Sequence, residues 1–127
     1  MKLGLAIGYS GAHLDIPVKL VQRAEELGYD SVWTAEAYGS DAVTPLAFLA
    51  AHTSRIKLGT GIMQLAARTP ANAAMSAATV DAMAGGGRFI VGLGVSDPPT
   101  SSFAAEAVEP APPPSTPAGG FSPKSAK

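Results

Sequence analysis

The sequence predicts an α/β protein built on a parallel sheet, and three observations carry that prediction. Short, nearly continuous apolar runs begin near residues 2, 30, 55 and 88, a spacing of roughly 25 to 33 residues that suits successive βα units. Between the runs lie stretches whose apolar residues recur at helical spacing, each opened by a polar residue and a proline. Glycines stand where the first and third of those stretches should end. Periodicity does not separate an open doubly wound sheet from a closed (β/α) barrel, so at this point both remain open.

KLGLAIGY, residues 2–9, is the first expected strand, buried on both faces. SGAHLD follows as a loop. Asp15 is the expected N-cap of a first helix, with Pro17 just inside it, and Pro17, Leu20, Val21, Ala24 and Leu27 form its apolar stripe up to Gly28. DSVWTAE, 30–36, is the second strand, and Thr44-Pro45 opens a second helix running to about Ala51. RIKLGTGI, 55–62, is the third strand. Thr69-Pro70 opens the third helix, ANAAMSAATVDAMAG, which stops at Gly85-Gly86-Gly87. RFIVGLGV, 88–95, is the fourth strand. Its Gly92-Leu93-Gly94 is not a dinucleotide fingerprint, because that motif opens a helix with a further glycine, whereas here Asp97 and two prolines follow.

Composition narrows the function classes. The 127 residues carry a net charge of −1, 46% hydrophobic residues and no cysteine. No basic patch points to nucleic acid or an anionic membrane, and no thiolate metal site or disulfide framework can form. The N-terminal run is too short for a signal peptide and no uncharged apolar stretch reaches 18 residues, so a cytoplasmic protein without a membrane partner is expected. Residues 97–127 differ from the rest, with eight of the chain's eleven prolines and 21 of 31 positions taken by Pro, Ala, Ser or Gly. The expected organisation is an ordered domain over 1–96 and a disordered tail over 97–127.

If the sheet is a barrel, a ligand lies at the carboxyl ends of the strands. Those tips are Gly8-Tyr9-Ser10, Glu36-Ala37-Tyr38, Gly61-Ile62-Met63 and Val95-Ser96-Asp97. Glu36 either accepts hydrogen bonds from a ligand or is a solvated loop carboxylate. Asp41 reads as a helix-start residue. The glycines of GTGI, 59–62, mark either a bulge approached by a ligand or simple packing. Arg68, just before Thr69-Pro70, either reaches a phosphate at the helix N-terminus or lies on the surface. His13 sits in the first βα loop, and His52 ends the second helix, where a cation suits the dipole. No nucleophile triad can be assembled, so an enzyme of this sequence needs a cofactor for its chemistry.

The stretches "GYDSVWTAEAYGSDAVTPLAFLAAHTSRIKLGTGI" and "ARTPANAAMSAATVDAMAGGGRFIVGLGVS" resemble the bacterial luciferase-like family, in its coenzyme F420-dependent oxidoreductase branch. The similarity covers residues 1 to about 96. It implies part of a TIM (β/α)8 barrel, about four βα units with four parallel strands and three helices, that binds coenzyme F420 or, alternatively, FMN, with hydride transfer at the ring. It also implies cofactor-side positions: Glu36 and Ala37 at the second strand, Gly61 and Ile62 at the family's non-prolyl cis peptide, and Val95 and Ser96 at the fourth. A histidine follows the second-strand acid in the family's sugar-phosphate dehydrogenases, and Ala37 stands there instead, which argues against that reaction.

A full barrel needs about 250 residues. Strands 5 to 8 are absent from this reading, and the switch to Pro/Ala/Ser composition after Ser96 is what a frameshift or deletion in a GC-rich gene leaves. The expectation is therefore an oxidoreductase by lineage whose chain is truncated and inactive, with a small-molecule substrate if it is active. The alternative is a non-catalytic half-barrel that dimerises through its open sheet edges. An open flavodoxin-like domain is a third reading, weakened by the lack of a phosphate-cradling first loop.

Overall fold

The computed structural model describes residues 1–8, 13–37 and 39–95. Tyr9, Ser10, Tyr38, Ser96, Asp97 and the expected tail lie outside the described residues. The elements run β1 (Gly4–Gly8), α1 (Val18–Glu26), β2 (Ser31–Thr34), α2 (Val43–Ala50), β3 (Lys57–Thr60), β4 (Met63–Gln64), α3 (Pro70–Met83), β5 (Phe89–Ile90) and β6 (Leu93–Gly94). A four-stranded sheet has the order β1-β2-β3-β5, and β4 and β6 pair as a second, two-stranded sheet. Every pairing is parallel, with Val32 opposite Leu58, Trp33 opposite Gly59 and Leu58 opposite Phe89. The four expected βα units are thus present, with three helices as crossovers.

The expected third and fourth strands each break in two, and the residues show why. After Thr60 a cis peptide joins Gly61 to Ile62, and the chain resumes as β4. One strand over, the Thr60 hydroxyl donates to the Gly92 carbonyl at 3.0 Å and accepts its N–H at 2.9 Å, replacing ladder bonds between main chains. A Cβ on Gly92 would lie 2.1 Å from the Thr60 carbonyl oxygen, so only glycine permits this approach.

One face of the sheet is sealed by the helices. Leu5 and Ile7 of β1, Val32 of β2, Leu58 of β3 and Phe89 of β5 pack there against Val21, Leu46 and Leu49. The opposite face, the interior of a barrel, carries the alternate residues: Gly4 and Ala6, then Ser31 and Trp33, then Gly59; the register of β1 slips before Gly8, which stands opposite Thr34. Trp33 spreads over its neighbours there. A Cβ at Gly59 would come within 2.4 Å of its ring and one at Gly4 within 3.0 Å. Its indole N–H donates to Ser31 Oγ at 2.9 Å.

The helix starts follow sequence expectation once and depart from it twice. Thr69 caps α3, accepting the Asn72 N–H at 3.2 Å, with Pro70 at the first helical position. Asp15 does not cap α1. Pro17 itself occupies the N-cap position and its carbonyl takes the first helical bond, from Val21. Thr44 does not open α2 either. Asp41 Oδ1 accepts the N–H groups of Val43 and Thr44, both at 2.7 Å, which starts the helix earlier and leaves Pro45 within its first turn. At the far ends, Gly28, Gly85, Gly86 and Gly87 all have positive φ, as helix stops require. Among the described residues no helix is long and apolar enough to cross a membrane.

Candidate functional site at the strand tips

The carboxyl ends of the strands bring together the residues singled out in the sequence, though not all in the expected roles. β2 ends at Thr34, and the chain continues through Ala35 to Glu36. The Glu36 side chain is 6% exposed and accepts four hydrogen bonds. Oε1 takes the Ala42 N–H at 3.1 Å and Arg68 Nη2 at 2.5 Å, while Oε2 takes the Gln64 N–H at 2.6 Å and Arg68 Nη1 at 2.9 Å. A carboxylate offers about four lone-pair sites, so this one has none left for a ligand. Glu36 is thus not a solvated loop carboxylate; its oxygens are engaged by the chain's own groups.

Arg68 was the residue whose role the sequence concealed. It is not a free surface cation; its guanidinium, 15% exposed, forms a two-pronged pair with Glu36. Burial works to raise the Glu36 pKa, but the Arg68 guanidinium and the N–H groups of Gln64 and Ala42 outweigh it, so the carboxyl lies below its ordinary range. The same bonds to Glu36 raise the Arg68 pKa. Both groups are charged across the physiological range. The signal available beforehand was positional: Glu36 and Arg68 both follow strand tips in consecutive units, and neighbouring tips in a parallel sheet are close in space.

The remaining site positions form a shelf. By strand alternation Ala35 and Gly61 continue the inner row above Trp33, and a Cβ on Gly61 would stand 3.6 Å from the Trp33 ring. Gly61 is exposed, and Ile62 is half-buried, with its side chain where a Cβ of Gly94 would be, 2.6 Å from that position. Ala37, also half-buried, borders a cavity of about 160 Å³ together with Gly39, Gln64, Ala67 and Arg68. Val95 is 84% exposed and shares the alternation of Phe89, Val91 and Leu93, which face the helical layer rather than the shelf. Ser96 lies outside the described residues. His52 Nδ1 lies 2.8 Å from the Phe48 carbonyl and the ring packs on Phe48, a helix-end role as expected.

Comparison with known proteins agrees with this architecture. Residues 2–114 match the family described as luciferase-like monooxygenase, running past the boundary expected near Ser96. Over 99 residues the chain is 54% identical to a Mycobacterium tuberculosis protein whose name provisionally assigns it as a coenzyme F420-dependent oxidoreductase, covering 77% of this chain and 28% of that one. The coenzyme F420-dependent tetrahydromethanopterin reductase of Methanopyrus kandleri superposes with a TM-score of 0.70 at 30% identity, over 82% of this chain and 30% of its own. A type II Baeyer–Villiger monooxygenase of Pseudomonas putida, solved with FMN, superposes with a TM-score of 0.66 over 81% of this chain and 32% of its own; at 22% identity it shows the fold alone. The chain spans less than a third of the length of each of these proteins. A family match over most of the sequence and a TIM-barrel type of topology lead to one affiliation: this chain belongs to the luciferase-like monooxygenase family.

Proposed function

We propose that the strand tips of this chain bind the ring of coenzyme F420, with FMN as the alternative, as part of a luciferase-like oxidoreductase acting on a small molecule. The observation that carries the reading is the pair Ala35 and Gly61 above Trp33, where no side chain larger than a methyl group stands between the backbone and a flat ring. Such a surface fits a tricyclic ring, which needs contact with backbone over a broad plane. When bound, the deazaflavin ring of coenzyme F420 supplies hydride transfer. This chain's own contribution is to hold that ring: Gly61 and Ile62 lie beneath it, Ala37 borders it, and Trp33 supports the shelf from below. The names of the Mycobacterium and Methanopyrus relatives favour coenzyme F420 over FMN.

The carboxylates of the described tips are engaged with backbone N–H groups, Glu36 at Ala42 and Gln64 and Asp41 at Val43 and Thr44. The chain by itself is therefore proposed to bind a ring without turning over substrate. The four-stranded sheet ends in β1 on one side and β5 on the other. Those two edges favour a second reading, in which two copies pair edge to edge and share the ring. The test is a fluorescence titration of the purified chain with coenzyme F420 and with FMN, while size-exclusion chromatography reports the mass. Saturable binding by a monomer or dimer is expected; a folded chain that binds neither cofactor would overturn the reading.

A further inference from the structure

We infer that Arg68 is a positioning residue for the ring shelf, acting through Glu36 on the backbone just beyond Gly61–Ile62. This rests on the reading of the strand tips as a cofactor site, and deepens it by assigning what holds the shelf in place.

The argument starts from the backbone N–H groups of residues 61 to 65, which alternate between two neighbours. Met63 donates to the Gly92 carbonyl at 2.7 Å and Leu65 to the Gly94 carbonyl at 2.9 Å, so the β6 side is anchored by main chain. On the β2 side Gly61 donates to the Thr34 carbonyl at 2.6 Å. There β2 ends, and the next N–H pointing that way, Gln64's, has no strand to meet. The Glu36 carboxylate takes its place, at 2.6 Å. Glu36 thus lengthens the parallel ladder by one rung made from a side chain, and the Gly61–Ile62 segment is held on both sides.

A glutamate is a poor rung unless its own rotamer is fixed, because its side chain has three rotatable bonds. Arg68 fixes it. The planar guanidinium grips both carboxylate oxygens and sets the plane of the group, a geometry that the compact charge of a lysine cannot reproduce. The other Oε1 bond, from Ala42 N–H, ties the same carboxylate to the start of α2. One arginine therefore sets the spacing between the β2 tip, the α2 N-terminus and the chain after Ile62. Arg68 follows β4 by only a few residues, so the loop that leaves the shelf also carries its clamp.

Trp33 makes the consequence measurable without a cofactor. It is the chain's single tryptophan, and its ring lies under Gly59 and Gly61. The experiment compares the unmodified chain with Arg68→Lys, Arg68→Gln and Glu25→Gln, at a temperature well below the melting point of each. Glu25→Gln is the control for stability alone, since Glu25 accepts three backbone N–H groups at the opposite end of the strands. Trp33 emission and acrylamide quenching are read first. The expectation is that both Arg68 variants shift them, Lys less than Gln, and that Glu25→Gln leaves them unchanged. Titrations with coenzyme F420 and FMN follow, with affinity expected to fall about tenfold or more for Arg68→Gln and less for Arg68→Lys, as when one anchor of a preorganised site is released. Lower melting temperatures with unchanged Trp33 quenching would show a merely structural pair and overturn the inference, as would undiminished affinity in a chain that binds. If the unmodified chain binds neither cofactor, the proposed function fails, and the quenching comparison still decides whether Arg68 positions the shelf. Should Arg68→Gln not fold, Arg68→Lys, which keeps the charge and loses the fork, carries the same decision.

Discussion

The two ends of the strands use carboxylates in the same way and to different effect. At the amino-terminal end, Glu25 Oε1 gathers the N–H groups of Ser54, Arg55 and Ile56 at 2.6 to 2.9 Å, and Asp81 gathers those of Gly87, Arg88 and Phe89, all at 2.9 Å. Asp81, near the end of α3, receives the loop that leads into β5, the strand that follows it, whereas Glu25, near the end of α1, reaches across to the loop that leads from α2 into β3. At the carboxyl end Glu36 does the same for Ala42 and Gln64, but it is more deeply buried and is matched by an arginine. The difference follows from the surroundings. Glu25 and Asp81 sit where water can share the charge, whereas Glu36 stands behind an open glycine shelf and needs a counter-ion held in place. The amino-terminal bonds close the fold, and the carboxyl-terminal pair shapes a surface.

That contrast is broken or sharpened by measurement. Arg68→Ala leaves a buried carboxylate without its partner, and urea unfolding should show a loss of about 3–5 kcal/mol. Glu25→Ala removes an acceptor from three N–H groups that water can reach, so a smaller loss of about 1–2 kcal/mol is expected. Equal losses would erase the distinction between the ends. Acid acts on both ends together. Bonds from backbone N–H groups hold the Asp81 pKa below its ordinary range; for Glu25 such bonds, and for Glu36 the Arg68 guanidinium together with such bonds, outweigh a burial that works to raise it. Because the folded-state values lie lower, the unfolded chain takes up protons first as pH falls. The stabilisation is whole above the ordinary carboxylate pKa of about 4 and is lost through the acid range below it. Melting temperature against pH should fall there, and less steeply in Glu36→Gln. The smallest effect concerns the shelf itself. Gly59→Ala places a methyl group within 2.4 Å of the Trp33 ring, which must shift, so Trp33 emission should change while stability falls by about 1 kcal/mol.

Much of this architecture is legible in the residues. Thr69-Pro70 marks the start of α3 correctly, and the triple glycine marks its end, because both signals depend on bonds within a few residues. The four strands are legible for a similar reason: burial on both faces leaves a continuous apolar run. The starts of α1 and α2 were misplaced by one rule, since proline after a polar residue fits several positions of a first turn, and a further acid, Asp41, took over the cap. The Glu36–Arg68 pair spans 32 residues, and no local pattern encodes it.

The breaks at Gly61–Ile62 and at Val91–Gly92 fall side by side in neighbouring strands, so the sheet divides into a four-stranded base and a two-stranded tip. Main-chain pairing of β3 with β5 stops at Gly59 and Ile90, and it restarts at Met63 and Leu93 with the Thr60 hydroxyl as the link between. Such a seam can open without unfolding what lies beneath it. Amide exchange should therefore sort the strands into two populations, with Leu58 and Val32 protected to the limit of global unfolding and Met63 and Leu65 released by a lesser, local event.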